Sequence, residues 1–416
     1  MVLILAYLIF LSPRVQTYLS QKIAKSISEQ AHTPVTIKGV DFTPFKSIIL
    51  KGVYVEDHRQ DTLVYIGELK SKLDSINFKT KKAYIGKLIL NKAYFNLYEG
   101  KDRKQNIQVF IDSLSKKQEP ENTASQEKSW NISISNLDLI NSHFSFLTIK
   151  AKKQAFGMNY ADIDVKNIKL QARNIKIIGD SVDFDLKHMS CIEKSGFVLK
   201  DFKTHSWITP TQWGMTKVTI VSPKSRLSAR HILLNYKSGQ GYWSEFTKKM
   251  KLDFQIKSSK INFEDLAYFN DRLLGFRESG FLSGHIYGTI YDLKGRNINI
   301  LYGNQTSFKG QFYMNGLPKI ANSYLEADFK ELTTSISDIE NVYIPNYKDN
   351  HIKLPKQLDN LGLIHYQGNF NGYINDFVFF GDFQTDQGNI RTDILLKPSL
   401  TENNLSYTGD ITTNDF

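Results

Sequence analysis

The sequence predicts a mainly β protein assembled from repeated strand units, and three observations lead to that prediction. Aromatic residues make up 12% of the 416 residues, with 27 Phe and 21 Tyr against 10 Pro, and flat rings pack favourably on a pleated sheet. Apolar and polar residues alternate along many segments, which is the period of a strand with one buried face. Segments marked by paired glycines recur in the last third of the chain, as in stacked β units.

Composition and charge limit the function classes. Hydrophobic residues at 41% and charged residues at 23% exclude disorder for most of the chain and exclude a polytopic membrane protein. The single cysteine, Cys191, leaves no intramolecular disulfide framework and no cysteine-based zinc site. A net charge of +11 suits an anionic partner such as nucleic acid, lipid headgroups or an acidic surface. Because Lys outnumbers Arg and is interleaved with Asp, we interpret the charge as a solvated basic face and predict no nucleic-acid partner.

The first residues are predicted to anchor the chain in a membrane. Residues 2–11 are uncharged and apolar but reach only half of the ~20 residues that a membrane-spanning helix needs. We interpret them as the end of a signal anchor whose first half precedes this sequence. A cleaved signal peptide and a buried core helix are the competing interpretations; no basic segment precedes Val2 and no A-x-A site follows Leu11. The predicted anchor residues are Val2, Leu3, Ile4, Leu5, Leu8, Ile9, Phe10 and Leu11.

An amphipathic helix is predicted from Pro13 to Ala31, so that residues 1–31 form one N-terminal segment. Proline is favourable at a helix start, and apolar residues recur at every fourth position. These positions are Val15, Leu19, Ile23 and Ile27.

After Pro34 the apolar period changes from four to two, which predicts a change from helix to sheet. Residues 32–115 are predicted to form a first β unit that ends in a short helix at Asn106–Ser115. Residues 116–129 contain no apolar residue larger than Ala and are predicted to be a disordered loop. The predicted strands are Val35–Val40, Ile48–Glu56, Thr62–Ile66, Glu68–Phe78 and Ala83–Tyr98.

Residues 130–275 carry the clearest alternation and are predicted to form a central β region with one apolar face and one wet face. Short helices are predicted at Tyr242–Met250, Glu264–Leu273 and Leu354–Asn360. The apolar face is the candidate binding surface. Its predicted residues are Ile132, Ile134, Leu137, Leu139, Ile168, Leu170, Phe184, Leu186, Leu252, Phe254 and Ile256.

Residues 276–416 contain an internal repeat of a glycine-marked strand. The segment Gly284-His-Ile-Tyr-Gly288 is followed by Thr306-Ser-Phe-Lys-Gly310, and Gly368-Asn-Phe-Asn-Gly372 is followed by Thr385-Asp-Gln-Gly388. Unequal spacing predicts stacked β units of variable length. A third copy begins at Gly409-Asp-Ile411, so we expect the sequence to be part of a longer protein.

Motifs for catalysis are absent from the sequence. The nine histidines have no H-x-x-x-H or H-E-x-x-H spacing, and we interpret them as structural or surface residues. The pairs Asp162/Asp164 and Asp183/Asp185 are expected on the solvated face, opposite Phe184. Residues 239–241 (GQG) lack the context of a phosphate loop and are expected to be a hairpin turn. We therefore predict no enzyme, no metal site and no cofactor.

Several segments resemble the start of TamB/AsmA-type proteins, the inner-membrane subunits of a translocation and assembly module in diderm bacteria. The anchor and amphipathic helix are followed by residues 34–40 (PVTIKGV), 45–50 (FKSIIL) and 53–57 (VYVED). Further similar segments are residues 61–63 (DTL), 66–69 (IGEL), 106–110 (NIQVF), 111–114 (IDSL), 130–134 (WNISI), 279–284 (SGFLSG), 316–318 (GLP) and 366–372 (YQGNFNG).

The resemblance implies an elongated open β-trough, anchored in the inner membrane and extending into the periplasm. It implies a bridge that carries phospholipid acyl chains towards the outer membrane, and an outer-membrane barrel partner contacted by a C-terminal domain that has no counterpart here. Two alternatives remain: an assembly factor for outer-membrane proteins that acts with the barrel partner, and a filled β spacer that transports nothing. Because a trough and a filled core both require an apolar face, the sequence does not separate them.

Overall fold

The computed structural model is mainly β, and its twenty strands belong to one open sheet with a few short helices. This confirms the predicted fold class. The structure describes residues 13–42, 47–77, 79–100, 104–115, 130–149, 151–237, 245–319, 322–343, 351, 353–373, 376–398 and 405–414.

The chain divides into two compact units, with the boundary between Ser206 and Trp207. The helices are α1 (Pro13–Ala31), α2 (Asn106–Ser115), α3 (Phe246–Lys249), α4 (Phe263–Ala267) and α5 (Ile336–Glu340), and 3-10 turns span Asp271–Leu273 and Lys356–Leu361. The first ten strands are β1 (Val35–Phe42), β2 (Ser47–Glu56), β3 (Thr62–Asn77), β4 (Lys82–Tyr98), β5 (Asn131–Leu147), β6 (Asp162–Ile178), β7 (Ser181–Glu193), β8 (Val198–Leu199), β9 (Asp201–Ile208) and β10 (Gln212–Val221). The others are β11 (Arg226–Asn235), β12 (Lys251–Asn262), β13 (Ser279–Gly288), β14 (Asp292–Tyr302), β15 (Thr306–Asn315), β16 (Tyr324–Ser335), β17 (Leu363–Tyr373), β18 (Asp376–Thr385), β19 (Gly388–Pro398) and β20 (Leu405–Asn414).

In the first unit, β1 to β4 pair antiparallel in chain order, and β5 then lies parallel to β4. A parallel pair requires a crossover connection, and α2 lies within it. Strands β5 to β7 continue antiparallel. Helix α1 packs on β1, where the Thr17 hydroxyl accepts a hydrogen bond from the Val40 amide at 3.2 Å and Ala24 and Ala31 are buried.

In the second unit, every strand from β10 to β20 pairs antiparallel with the next. Two short helices, α4 and α5, interrupt this meander after β12 and after β16. Both begin at a side-chain cap, Asn262 for α4 and Ser335 for α5. Each helix also carries a buried aspartate that binds a neighbouring hairpin turn, since Asp265 accepts from the Lys224 amide and Asp338 from the Gln305 amide. Capping and turn binding together fix the ends of these long strands.

Rows of bulges bend the strands of both units near their middles. Lys92 of β4, Asn141 of β5 and Asn167 of β6 have positive φ, and the residue after each is buried. Register shifts accompany Asn141 and Asn167. A bulge bends a strand and increases its twist, so bulges in neighbouring strands produce a bend shared by the sheet. The buried residues that follow non-glycine positive-φ positions within strands are Ala93, Ser142, Ile168 and Ile175 in the first unit and Val218 and Ile298 in the second.

Most sequence-based element predictions are confirmed, and four need correction. Helix α1 and helix α2 occupy their predicted ranges. The predicted break at Gly67 is wrong: β3 is continuous from Thr62 to Asn77, and Gly67 instead leaves room for the Lys92 side chain of β4. Of the predicted helix at 242–250, residues 242–244 lie outside the described residues, Phe246–Lys249 form α3, and Met250 is extended. The predicted helix at 264–273 divides into α4 and a 3-10 turn, and that at 354–360 is a 3-10 turn.

The glycine repeat corresponds to equivalent positions in β13 and β17, the strands that follow α4 and α5. Gly288 is the last residue of β13 and Gly372 is the last but one of β17, with φ of +108° and +142°. A Cβ atom at Gly288 would lie 2.2 Å from the carbonyl oxygen of Asp292. A Cβ atom at Gly372 would lie 2.4 Å from the carbonyl oxygen of Asp376. Only glycine fits so close an approach at positive φ, which explains why this residue recurs.

Three predictions lie outside the described residues: the anchor at 2–11, the disordered loop at 116–129 and the turn at 239–241. Among the described residues, no helix combines the length and the apolar character needed to cross a membrane.

Candidate functional site on the apolar face of the strands

The apolar face of the first unit is built from rows of side chains that run across neighbouring strands. In an antiparallel or parallel ladder, directly opposed residues point to the same side of the sheet. Leu139 of β5, for example, lies opposite Leu90 of β4 and Leu170 of β6. One complete row crosses β3 to β7 through Leu69, Leu90, Leu139, Leu170 and Met189.

These rows pack into two clusters whose members all come from neighbouring strands. The first cluster has Ile66, Leu90 and Ala93 at its centre, and the second has Ile134, Ala172 and Ile175. Neither cluster includes a residue of a helix. Within each cluster, the packing partners are side chains on the same face of adjacent strands, as expected where the sheet itself bends.

The second unit has a longer apolar row. Phe254 of β12 lies opposite Ile232 of β11 and Ile286 of β13, and the same register continues strand by strand. The row is apolar or glycine at every strand from β10 to β20: Met215, Ile232, Phe254, Ile286, Gly295, Phe312, Ala327, Phe370, Phe379, Ile394 and Gly409.

An aromatic cluster reinforces this face in β16 to β18. The Tyr366 ring stacks on Phe379 at 4.6 Å and lies 4.7 Å from Phe383 and 5.3 Å from Phe329, measured between ring centroids. Its hydroxyl donates to the Phe380 carbonyl oxygen at 2.9 Å. Burial of this hydroxyl raises the pKa of Tyr366, so the phenol stays neutral and its polar end is satisfied within the strand pair.

The predicted binding residues all lie on these apolar faces, eight in the first unit and three in the second. None of them is fully exposed, but only five are buried. A core covered by a second layer would bury most of its large side chains, whereas here partial exposure is common. The buried residues are Ile134, Ile168, Leu186, Leu252 and Ile256, and the half-buried ones are Ile132, Leu137, Leu139, Leu170, Phe184 and Phe254.

Many polar and ionisable side chains lie on the opposite face, which we call the polar face. His143 Nε2 lies 3.1 Å from Asp164 Oδ2, and His188 Nδ1 lies 2.7 Å from Asp201 Oδ1. Burial alone would raise the pKa of Asp201, but Lys203 and His188 outweigh that effect and hold the pKa below its ordinary value. These pairs make this face of the sheet polar, and its side chains are favourably placed in water.

The aspartate pairs lie on this polar face, as predicted. Asp183 Oδ2 and Asp185 Oδ1 are 3.4 and 3.1 Å from the two ring nitrogens of His205. Asn174 and His205 lower the pKa of Asp185 by hydrogen bonding. Both carboxylates therefore contact one imidazole ring, which is a structural arrangement on the solvated face.

Cys191 is half-buried in β7. Burial, with a smaller contribution from the Glu193 carboxylate, raises the pKa of its thiol to about 11. Since the thiolate is the reactive form, this cysteine is unreactive near neutral pH.

Sequence reasoning missed the longest part of the apolar row. Phe370 lies between Asn369 and Asn371, so its alternation with polar residues was a usable signal. Phe379 lies between Val378 and Phe380, and its sequence context carries no such signal. Sequence reasoning also missed a group of metal-ligating side chains, His231, Asp253 and His285, that converges on the polar face of β11 to β13. These residues are far apart in sequence and form no local motif.

No protein-family model matches this chain, and no curated protein matches it. The apolar rows are therefore the main basis for a functional assignment. A continuous, half-buried apolar surface backed by a polar surface can bind extended aliphatic chains, and it needs no nucleophile, acid or base to do so.

Proposed function

We propose that this chain binds phospholipid acyl chains along its apolar strand faces and conducts them between membranes. The observation that carries the proposal is the row from Met215 to Gly409, in which each of eleven consecutive strands contributes an apolar residue or a glycine. A surface that repeats at every strand gives a sliding acyl chain similar contacts at each step.

The energetics favour such a path. Shielding one lipid methylene from water contributes about 0.8 kcal/mol, so a lipid that leaves a membrane into water loses this stabilisation along both chains. A continuous apolar face replaces most of that stabilisation at every point, while the headgroup remains in water. The half-buried side chains, among them Phe184 and Phe254, leave apolar area for acyl chains to cover.

The location follows from the same proposal. The apolar run at residues 2–11 would anchor the chain in the inner membrane, with the strands in the periplasm of a diderm bacterium and lipid moving towards the outer membrane. The resemblance to TamB/AsmA-type proteins supports this arrangement and adds an outer-membrane barrel protein as the proposed partner. The proposed function involves no chemical step, and it makes the protein a conduit and not an enzyme.

Bound lipid tests the proposal directly. We expect the full chain, purified from bacterial membranes in mild detergent, to carry more than one phospholipid per chain in native mass spectrometry and after organic extraction. Phe184→Asp and Phe254→Asp should each reduce that number while circular dichroism shows an unchanged strand content, because a carboxylate in the row is costly to desolvate.

The alternatives give different outcomes in the same experiment. A filled spacer would carry no lipid beyond the annular lipid of the anchor, and both substitutions would unfold it. An assembly factor would also lack bound lipid, and it would co-purify with outer-membrane proteins in a manner that both substitutions leave unchanged.

A further inference from the structure

Three side chains on the polar face of β11 to β13 converge on one point. His231 lies opposite Gln255 in the ladder, Gln255 lies opposite His285, and Asp253 is on the same face two residues away. Asp253 Oδ1 is 2.8 Å from His231 Nε2 and 2.8 Å from His285 Nε2. The three possible ligand atoms all lie within 4.8 Å of one another.

The rigid sheet holds these side chains in place. They project from three adjacent, hydrogen-bonded strands, and the His285 ring stacks on Tyr287 with a centroid distance of 4.8 Å. The Arg296 guanidinium in turn lies over the Tyr287 ring at 5.1 Å. Such packing fixes ring orientation and reduces the conformational entropy that a ligand would have to overcome.

The electrostatics suit a cation. Asp253 supplies the carboxylate of the group, and one oxygen of that carboxylate contacts both imidazole rings. The three side chains retain 28%, 39% and 33% of their exposure, so an ion can reach them from solvent.

The donor set identifies the class of ion. Two imidazole nitrogens and one carboxylate oxygen match the three-protein-ligand zinc sites that keep a fourth position for water. Magnesium and calcium prefer all-oxygen sites, whereas imidazole selects later first-row metals. Zinc ligands at about 2.0–2.2 Å from the ion lie about 3.4 Å apart in a tetrahedron, so small side-chain rotations would convert the present hydrogen bonds into ligation.

We propose that His231, Asp253 and His285 form a binding site for a divalent transition-metal ion, zinc above all. Within the described residues this is the only group of three metal-ligating side chains that converges in this way. His188 pairs with one aspartate, Asp201, and the ring of His205 lies between two aspartates without a second histidine. A bound ion would cross-link three consecutive strands and stabilise the bend of the second unit, independently of whether the apolar face carries lipid.

Zinc binding to the metal-depleted full chain tests this site, by competition with a chromophoric chelator. We expect one zinc per chain, and His285→Asn or Asp253→Asn should weaken binding by at least about tenfold, as removal of metal-site groups commonly does. His188→Asn is the matched control and should leave zinc affinity unchanged. His231→Cys should retain zinc binding, because a thiolate replaces the imidazole as a ligand.

Two further readouts separate a lost site from a lost fold. Cobalt substituted for zinc should give the visible absorption of a four-coordinate ion in the wild type and not in Asp253→Asn, while circular dichroism of both chains without metal stays the same. Zinc should raise the thermal unfolding midpoint of the wild type, of His188→Asn and of His231→Cys, and should leave that of His285→Asn and Asp253→Asn nearly unchanged. Equal zinc affinity in all variants, or no stoichiometric binding by the wild type, would overturn the proposal.

Discussion

Replacing Phe379 by Asp is expected to remove most of the bound phospholipid, whereas the same replacement at Phe380 leaves it in place. The two phenylalanines are adjacent in β18 and point to opposite faces. Phe379 is half-buried in the apolar row against Tyr366, and Phe380 is 49% exposed on the polar face. An ionised carboxylate beside an acyl chain costs several kcal/mol, which corresponds to at least about a hundredfold in local affinity.

The pair of variants is its own control, since residue type, substitution and charge change are the same. Phospholipid is measured by organic extraction from each purified chain and compared per mole of protein. Equal lipid content in the two variants would contradict a binding path along the row that contains Phe379. Loss of fold in Phe379→Asp alone would favour a filled core, and Phe379→Leu, which keeps an apolar side chain, then distinguishes lost packing from a lost path.

Asp57→Ala is expected to lower the stability of the first unit by about 3 kcal/mol, because it leaves several buried donors without an acceptor. Asp57 is 1% exposed. Its carboxylate accepts hydrogen bonds from the Arg59 and Asp61 amides at 2.8 and 3.1 Å and from the Asn106 side chain at 3.1 Å. It thereby ties the hairpin between β2 and β3 to the start of α2.

Urea unfolding followed by circular dichroism measures this effect, and Asp61→Ala is the matched control. Asp61 is an exposed residue of the same turn, so its replacement should change stability by no more than about 0.5 kcal/mol. Equal destabilisation by the two variants would contradict the role assigned to Asp57.

Acid should weaken the same connection. Burial alone would raise the pKa of Asp57, but hydrogen bonds from Asn106, Tyr98 and two backbone amides outweigh burial and lower it from 3.8. A lowered pKa stabilises the fold above the unfolded-state value and loses that contribution as the pH falls through the folded-state value. The wild type should therefore lose more stability than Asp57→Ala as the pH falls below about 4.

Much of the fold follows from local sequence patterns. The period-four pattern predicts α1, and period-two alternation predicts the strands because each has one apolar and one polar face. The same alternation identifies the apolar face, including Phe184 and Phe254. The alternation is informative here because consecutive side chains on a strand point to opposite faces of the sheet. One of these faces is apolar and the other is polar.

Long-range pairing is what the sequence leaves undetermined. The positive-φ positions Lys92 and Asn141 carry no composition signal, and their alignment across β4 and β5 appears only when the register is known. The convergence of His231 with His285 likewise depends on the register of three strands. The eleven-strand row emerges in the same way, since each strand contributes one residue whose position in the row is set by its neighbours.

Site-specific photo-cross-linking in living bacteria tests the central claim most directly. Benzoylphenylalanine replaces either Phe379 or Phe380 in the full chain, the cells are irradiated, and the purified chain is analysed for covalent phospholipid. The account predicts a phospholipid adduct from position 379 and little or none from position 380. Phospholipid adducts of equal yield at both positions would contradict a lipid path along the row. So would cross-links from position 379 that join the chain to proteins and never to phospholipid.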